Sequence, residues 1–162
     1  MRCRIVKVNP DAKGTLIKAI KEVNSLKQRP DFIVFTGDLT QTTDDTNIRK
    51  ARMKEFKQIV GELDAPVVRF MPGEHDASLD NGETYKDFFG ETHYVFDHKG
   101  VHFIAIDNVS DPTGSIGDSQ LEWLQKDLAG QNPRILTVCN CLGWKVRWVL
   151  KLPGLWSGSR VG

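Results

Sequence analysis

The chain has 162 residues and a formal charge of +1, from 22 Lys and Arg against 21 Asp and Glu, and its length fits one domain of roughly 100–200 residues. With 40% hydrophobic and 27% charged residues, the composition excludes a disordered chain and a miniature fold built on disulfides. The sequence has no run of about 18 apolar residues, which excludes a membrane-spanning helix, and the net charge of −6 over residues 9–138 argues against a nucleic-acid-binding face.

The first half of the chain alternates amphipathic helices with short apolar strands. Apolar residues at helical spacing predict helices over residues 15–26 and 47–63. Two continuous apolar runs, residues 32–35 and 67–71, predict buried strands that each end in a polar turn. This order of elements is typical of parallel strands joined by helical crossovers.

The second half adds a hairpin between further helices. A short helix is predicted over residues 82–89, and a third helix, N-capped by Asp118, over residues 118–128. Between them, strands over residues 94–96 and 101–106 flank a tight turn of residues 97–100, which contains His98. A further strand is predicted over residues 135–138. The predicted fold class is therefore α/β, with a mixed or parallel sheet flanked by helices.

Ligands in such sheets bind beyond the carboxyl ends of the strands, which selects the loops 36–40, 72–78 and 107–110, and we expect these loops to share one edge of the sheet. The first two loops contain Gly37-Asp38 and Gly73-Glu74-His75-Asp76. Glycine permits a sharp turn and close approach of a ligand, and carboxylates that converge in one crevice attract a hard divalent cation. The alternative is that these acidic residues only cap or solvate their loops.

These segments resemble the motifs of one known family. Residues 31–40 resemble the Gly-Asp motif of calcineurin-like metallophosphoesterases, and residues 71–76 resemble their Gly-Asn-His-Asp motif, here Gly-Glu-His-Asp. Residues 102–108 and 117–124 are similar to the next strand and helix of that family. The resemblance covers residues 9–138 and implies a two-sheet sandwich flanked by helices.

The resemblance also implies an activity and roles for four residues. The family hydrolyses phosphate mono- or diesters with a metal-bound hydroxide at two divalent ions, which leaves Mn, Fe, Mg and Zn open and makes a small-molecule phosphoester the expected substrate. Asp38 matches the carboxylate that bridges the metals, and Glu74 stands where an asparagine ligates the second metal. His75 matches the residue that contacts the phosphate and protonates the leaving oxygen, and Asp76 is expected to orient its other ring nitrogen.

Both ends of the chain depart from the family pattern. Residues 1–8 lack the first Asp-x-His motif, and no histidine follows His102, so only Asp38 and Glu74 remain of the expected ligands. We therefore expect three segments: a divergent start at 1–8, an incomplete metallophosphoesterase-like domain at 9–138 and a divergent tail at 139–162. The tail resembles out-of-frame translation, which an intact downstream frame in the flanking nucleotide sequence would support.

The departures leave a second function class open, a non-catalytic fragment or scaffold that keeps the sheet and uses the Trp-rich tail for interaction. The three cysteines, Cys3, Cys139 and Cys141, form no zinc or disulfide pattern and are expected to be incidental thiols. The start of the chain as given shows no apolar signal region, so a cytoplasmic location is the default expectation.

Overall fold

A computed structural model describes the backbone of residues 9–130, 134–139 and 147–151, with side chains over residues 9–130. In chain order the elements are α1 (Ala12–Asn24), β1 (Ile33–Phe35), α2 (Thr46–Val60), β2 (Val68–Phe70), α3 (Glu74–Ala77), α4 (Glu83–Phe89), β3 (Tyr94–His98), β4 (Val101–Ile106), α5 (Asp118–Ala129), β5 (Arg134–Cys139) and β6 (Arg147–Lys151). The predicted α/β class is confirmed. None of the described helices is long and apolar enough to cross a membrane. The expectations for residues 1–8, Cys3 and Cys141 lie outside the described residues.

The described strands form two sheets. Strands β1 and β2 are parallel, with Ile33 opposite Val68 and Phe35 opposite Phe70. The second sheet has the order β3-β4-β5-β6, in which β4 and β5 are parallel and the outer pairs are antiparallel. Helix α5 makes the crossover between β4 and β5. Strand β6 lies in the segment expected to be a divergent tail and was not predicted.

Three apolar clusters hold these layers together. On one side, α1 and α2 cover the first sheet through Ile20 and Phe56, with Phe35 and Phe70 packed against them. Between the sheets, Met71 and Ala105 pack with Val34 and Tyr94. On the far side, Ile104 and Ile106 of β4 pack against Trp123 and Leu124 of α5. The layers are therefore helix, sheet, sheet and helix, in agreement with the expected sandwich.

The capping of two helices differs from the prediction. Helix α1 begins three residues earlier than expected, because the Asp11 side chain caps it by accepting a hydrogen bond from the Gly14 N–H at 2.9 Å. The prediction that Asp118 caps α5 was wrong. Gly117, with φ of 74°, occupies the cap position, and Asp118 is the first residue of the helix.

The hairpin turn is shorter than predicted. It consists of Lys99 and Gly100, with φ of 48° and 75°, which is the left-handed backbone that a two-residue hairpin turn requires. His98 therefore lies at the end of β3, where it is half-buried, and not in the turn.

A buried histidine joins the hairpin to α5. The side chain of His102 is 1% exposed, and its two ring nitrogens donate to Asp97 at 2.7 Å and to Asp127 at 2.8 Å. Burial lowers the pKa of His102, but the hydrogen bonds and charges of the two carboxylates outweigh it, so the pKa lies above its ordinary value of 6.5. The two carboxylates therefore favour the doubly protonated form of the ring.

A second buried charge joins α2 to the segment between α3 and α4. The Arg49 side chain is 6% exposed, and its Nη1 donates to Asp80 at 2.7 Å. Asp80 also accepts from the backbone N–H of Thr84 at 3.2 Å, which fixes the start of α4. This contact places the end of the loop that follows β2.

Candidate active site

The first site loop turns sharply where β1 ends. Gly37 and Asp38 have φ of 101° and 50°, so two consecutive residues adopt left-handed backbone. Glycine does so freely and aspartate more readily than most residues. The turn leaves the Asp38 side chain exposed at the carboxyl end of the strand.

The second site loop contains a helical turn that was not predicted. Helix α3, Glu74–Ala77, begins directly after Gly73, and the Asp76 carboxylate accepts a hydrogen bond from the Gly73 N–H at 2.9 Å. An acidic residue at the third helical position that bonds back to the cap residue is a known start signal. The Gly-Glu-His-Asp motif therefore also encodes a short helix, and Glu74 lies exposed in its first turn.

The two loops approach each other too closely for any side chain at Gly73. A Cβ atom on Gly73 would lie 2.0 Å from the backbone nitrogen of Asp38 and 2.8 Å from its Cα. The His75 N–H donates to the Asp38 carboxylate at 3.2 Å across the same junction. The two glycine-acid motifs thus meet at one edge of the first sheet, as their positions after neighbouring strands indicated.

Asp76 holds the junction together and does not orient His75 as expected. Its carboxylate, 1% exposed, accepts from the backbone N–H groups of Leu39 at 2.9 Å, Thr40 at 3.0 Å and Gly73 at 2.9 Å. Burial raises the pKa of Asp76, and these three hydrogen bonds oppose the rise. Because backbone donors occupy both oxygens, the predicted contact with the His75 ring is replaced by contacts with the other loop.

The His75 ring has a backbone partner instead. Its Nδ1 accepts a hydrogen bond from the Thr42 N–H at 3.3 Å. An N–H group can only donate, so Nδ1 carries no proton in this arrangement and the proton of the neutral ring lies on Nε2. The half-buried ring is thereby tied to the Thr42 backbone through Nδ1 and has a donor at Nε2.

The third predicted loop is closed by its own hydrogen bonds. The Asp107 carboxylate accepts from the N–H groups of Val109 at 2.9 Å and Ser110 at 3.1 Å, and Gln120 bonds both the N–H and the carbonyl of Asp107. Moreover, β4 belongs to the second sheet, so, contrary to the expectation, the third loop does not follow a strand of the same sheet as the other two. Asp107 therefore serves the fold of this loop.

The described residues do not make a metal centre by themselves. Over residues 9–130, no group of three or more His, Cys, Asp and Glu side chains is arranged to hold a metal ion. Asp38 and Glu74 offer two exposed carboxylates, whereas a catalytic zinc site, for example, takes about three protein ligands.

A groove of about 410 Å³ opens beside Asp38, between α1 and α2. Leu16 and Ile59 contribute to its apolar lining, and its charged groups include Arg52 and the Lys13–Glu55 ion pair at 2.6 Å. Small-molecule sites typically have volumes of about 300–1,000 Å³ and combine an apolar lining with a few polar groups. The groove therefore suits the organic part of a small ligand whose charged part lies near Asp38.

Known proteins resemble this chain over most of its length. The family model of the calcineurin-like phosphoesterases matches residues 9–149. A probable glycerophosphodiester phosphodiesterase GpdQ of Arcobacter nitrofigilis is 31% identical over 129 residues, which cover 73% of this chain and 44% of the relative. A probable cyclic nucleotide phosphodiesterase of Rhodococcus erythropolis is 34% identical over 132 residues, which cover 76% and 42%.

The serine/threonine-protein phosphatase CPPED1 of Rattus norvegicus is 25% identical over 122 residues, which cover 69% of this chain and 39% of the relative. The chain thus spans less than half the length of these relatives. The family match nevertheless includes both site loops and most of the chain. The chain belongs to the calcineurin-like phosphoesterase family.

Proposed function

We propose that this chain carries the phosphate-binding loops of a metal-dependent phosphoesterase that acts on small phosphoesters. One observation supports it above all: the loops that follow β1 and β2 are joined so that Asp38, Glu74 and His75 lie at one edge of the sheet. Phosphoesterases of this family are metal-dependent, and such an edge is where ligands bind in open α/β sheets.

The proposed roles follow from the chemistry of the three side chains. His75, with its proton on Nε2, donates a hydrogen bond to a phosphoryl oxygen. Asp38 and Glu74 would repel that phosphate if no cation neutralised them, so we assign them as ligands of a divalent ion, together with donors other than the described residues. Two carboxylates suit Mn, Fe, Mg or Zn, and they do not choose among these metals.

The relatives and the groove together suggest the substrate class. Two relatives are named for glycerophosphodiesters and cyclic nucleotides, which are small phosphodiesters. A groove of about 410 Å³ beside Asp38 has room for the alcohol part of such a molecule. We therefore propose a small mono- or diester of phosphate as the substrate.

The test is hydrolysis of p-nitrophenyl phosphate and bis(p-nitrophenyl) phosphate by the full chain, with manganese and in parallel with iron, magnesium and zinc. Turnover is expected to fall at least about 100-fold in Asp38→Ala. Loss of a group that only supports a metal ligand lowers affinity or activity by up to about 100-fold, and loss of a ligand itself should cost at least as much. Asp44→Ala is the matched control, because Asp44 is an exposed carboxylate in the same loop region and has no bonded partner over residues 9–130.

A second function has one observation in its favour, the lack of a three-residue metal group in the described part of the chain. In that case the protein is a non-catalytic scaffold that keeps the fold. Calorimetry that finds no metal binding, together with no turnover under any of the four metals, would contradict the phosphoesterase and favour the scaffold.

A further inference from the structure

Arg52 of α2 holds the segment that follows the Asp38 turn. Its Nη1 donates to the carbonyl oxygens of Gln41 at 2.8 Å and Thr42 at 3.2 Å. Both protons of that nitrogen are therefore used on the protein backbone. Such charged donors form stronger hydrogen bonds than neutral ones, so Arg52 fixes the position of this exposed segment.

The same segment contacts the His75 ring. The Thr42 peptide accepts from Arg52 through its carbonyl, and its own N–H donates to Nδ1 of His75 at 3.3 Å. A continuous chain of hydrogen bonds thus runs from α2 to the imidazole. The direction of its last bond requires an unprotonated Nδ1 and places the proton of the ring on Nε2.

We propose that Arg52 is a positioning residue that keeps the Thr42 N–H on His75, so that Nε2 is presented to the phosphate as a hydrogen-bond donor. The catalytic meaning rests on the proposed function. In this arrangement Nδ1 keeps the Thr42 bond, and Nε2 is the ring nitrogen that can donate to a phosphoryl oxygen.

The test uses the full chain, labelled with ¹⁵N and free of metal, at a pH above the ordinary imidazole value of about 6.5. Two-bond ¹H–¹⁵N spectra report which ring nitrogen of His75 is protonated, and hydrogen exchange reports the protection of the Thr42 amide. We expect the Nε2-protonated ring in the wild type. A ring protonated on Nδ1 would overturn the proposal on the wild-type spectrum alone, without any substitution.

Substitutions then test Arg52 itself. In Arg52→Ala, we expect the Thr42 amide to exchange about 10-fold faster or more, as the loss of a hydrogen bond to a charged group implies, and the ring to gain the Nδ1-protonated form. Arg52→Lys should retain most of the protection, because its ammonium can still donate to both carbonyls. Lys54→Ala is the control, since Lys54 is an exposed cation of α2 without a partner over residues 9–130. Unchanged exchange in Arg52→Ala refutes the proposal.

Kinetics separate this inference from the proposed function. The spectra can be recorded on a protein without activity. If the chain hydrolyses no substrate but His75 has the expected ring form, the phosphoesterase function is refuted and the positioning role of Arg52 is retained. In an active chain, we expect Arg52→Ala to lower kcat about 10-fold with KM nearly unchanged. A raised KM with unchanged kcat would instead place Arg52 on the substrate and overturn the positioning role.

Discussion

Replacement of Asp76 by alanine tests whether this residue joins the two site loops. The substitution removes a carboxylate that accepts from the N–H groups of Leu39, Thr40 and Gly73, residues that come from both loops. Three backbone N–H groups would then lack their partner at a position where the wild-type Asp76 is only 1% exposed. The loops that carry Asp38 and His75 would lose their main connection.

The cost follows from the number of donors left without a partner. A buried donor without a partner costs about 1–3 kcal/mol, and the half-buried loop around Leu39 and Thr40 lets water reach some of them, so the lower value applies. Three donors at about 1 kcal/mol each give a loss of about 3 kcal/mol in the free energy of unfolding. Since a domain has about 5–15 kcal/mol in total, Asp76→Ala should still fold.

Urea unfolding followed by far-UV circular dichroism measures this loss. The free energy of unfolding of Asp76→Asn should lie about halfway between those of the wild type and Asp76→Ala, because the amide oxygen can replace only one of the two carboxylate oxygens. Asp111→Ala is the control, since over residues 9–130 the Asp111 side chain bonds only within its own turn, to Thr113 and Ser115, and its loss should cost under about 1 kcal/mol. An Asp76→Ala protein as stable as the Asp111→Ala protein would refute the assignment of Asp76 as the connection between the loops.

Two further predictions concern the buried charges. Arg49→Ala should lower the free energy of unfolding in urea by about 3 kcal/mol, because it leaves the largely buried Asp80 without its cation. Lys50→Ala is the control, since it removes an exposed ion pair and should cost under about 1 kcal/mol. Equal losses in the two variants would contradict the prediction. The raised pKa of His102 gives stability that is complete below pH 6.5 and lost as pH rises through the folded-state value, so Tm should fall above pH 6.5 and fall less in Asp127→Asn. A Tm with the same pH dependence in both proteins would argue against this role of His102.

The sequence was sufficient for the elements that depend on local pattern. Apolar runs over residues 32–35 and 67–71 indicated β1 and β2, and the glycine-acid pairs at their ends indicated the two site loops. These features are readable because strand burial and sharp turns leave their mark on adjacent residues. The α/β class follows from the same patterns, whereas the two-sheet sandwich was expected only from the family resemblance.

The contacts within the site could not be predicted in this way. Asp76 finds its partners 36 and 37 residues earlier in the chain, and the ring of His75 finds its partner at Thr42, 33 residues earlier. A backbone N–H leaves no signature in the sequence, because every residue except proline has one. The expected Asp76–His75 contact relied on adjacency, whereas the short helix α3 turns Asp76 towards the other loop.

The motif residues therefore divide into two groups, and this division decides which experiment identifies the function. Gly73 and Asp76 build the junction, through close approach and backbone hydrogen bonds, and Asp38 and Glu74 offer exposed carboxylates at it. The contacts that hold the junction lie within residues 9–130, so a catalytic chain and a scaffold would both keep it. Both functions thus predict the same loss of stability for Asp76→Ala. They differ in turnover: a scaffold has none, whereas the turnover of a catalytic chain should fall at least about 100-fold in Asp38→Ala.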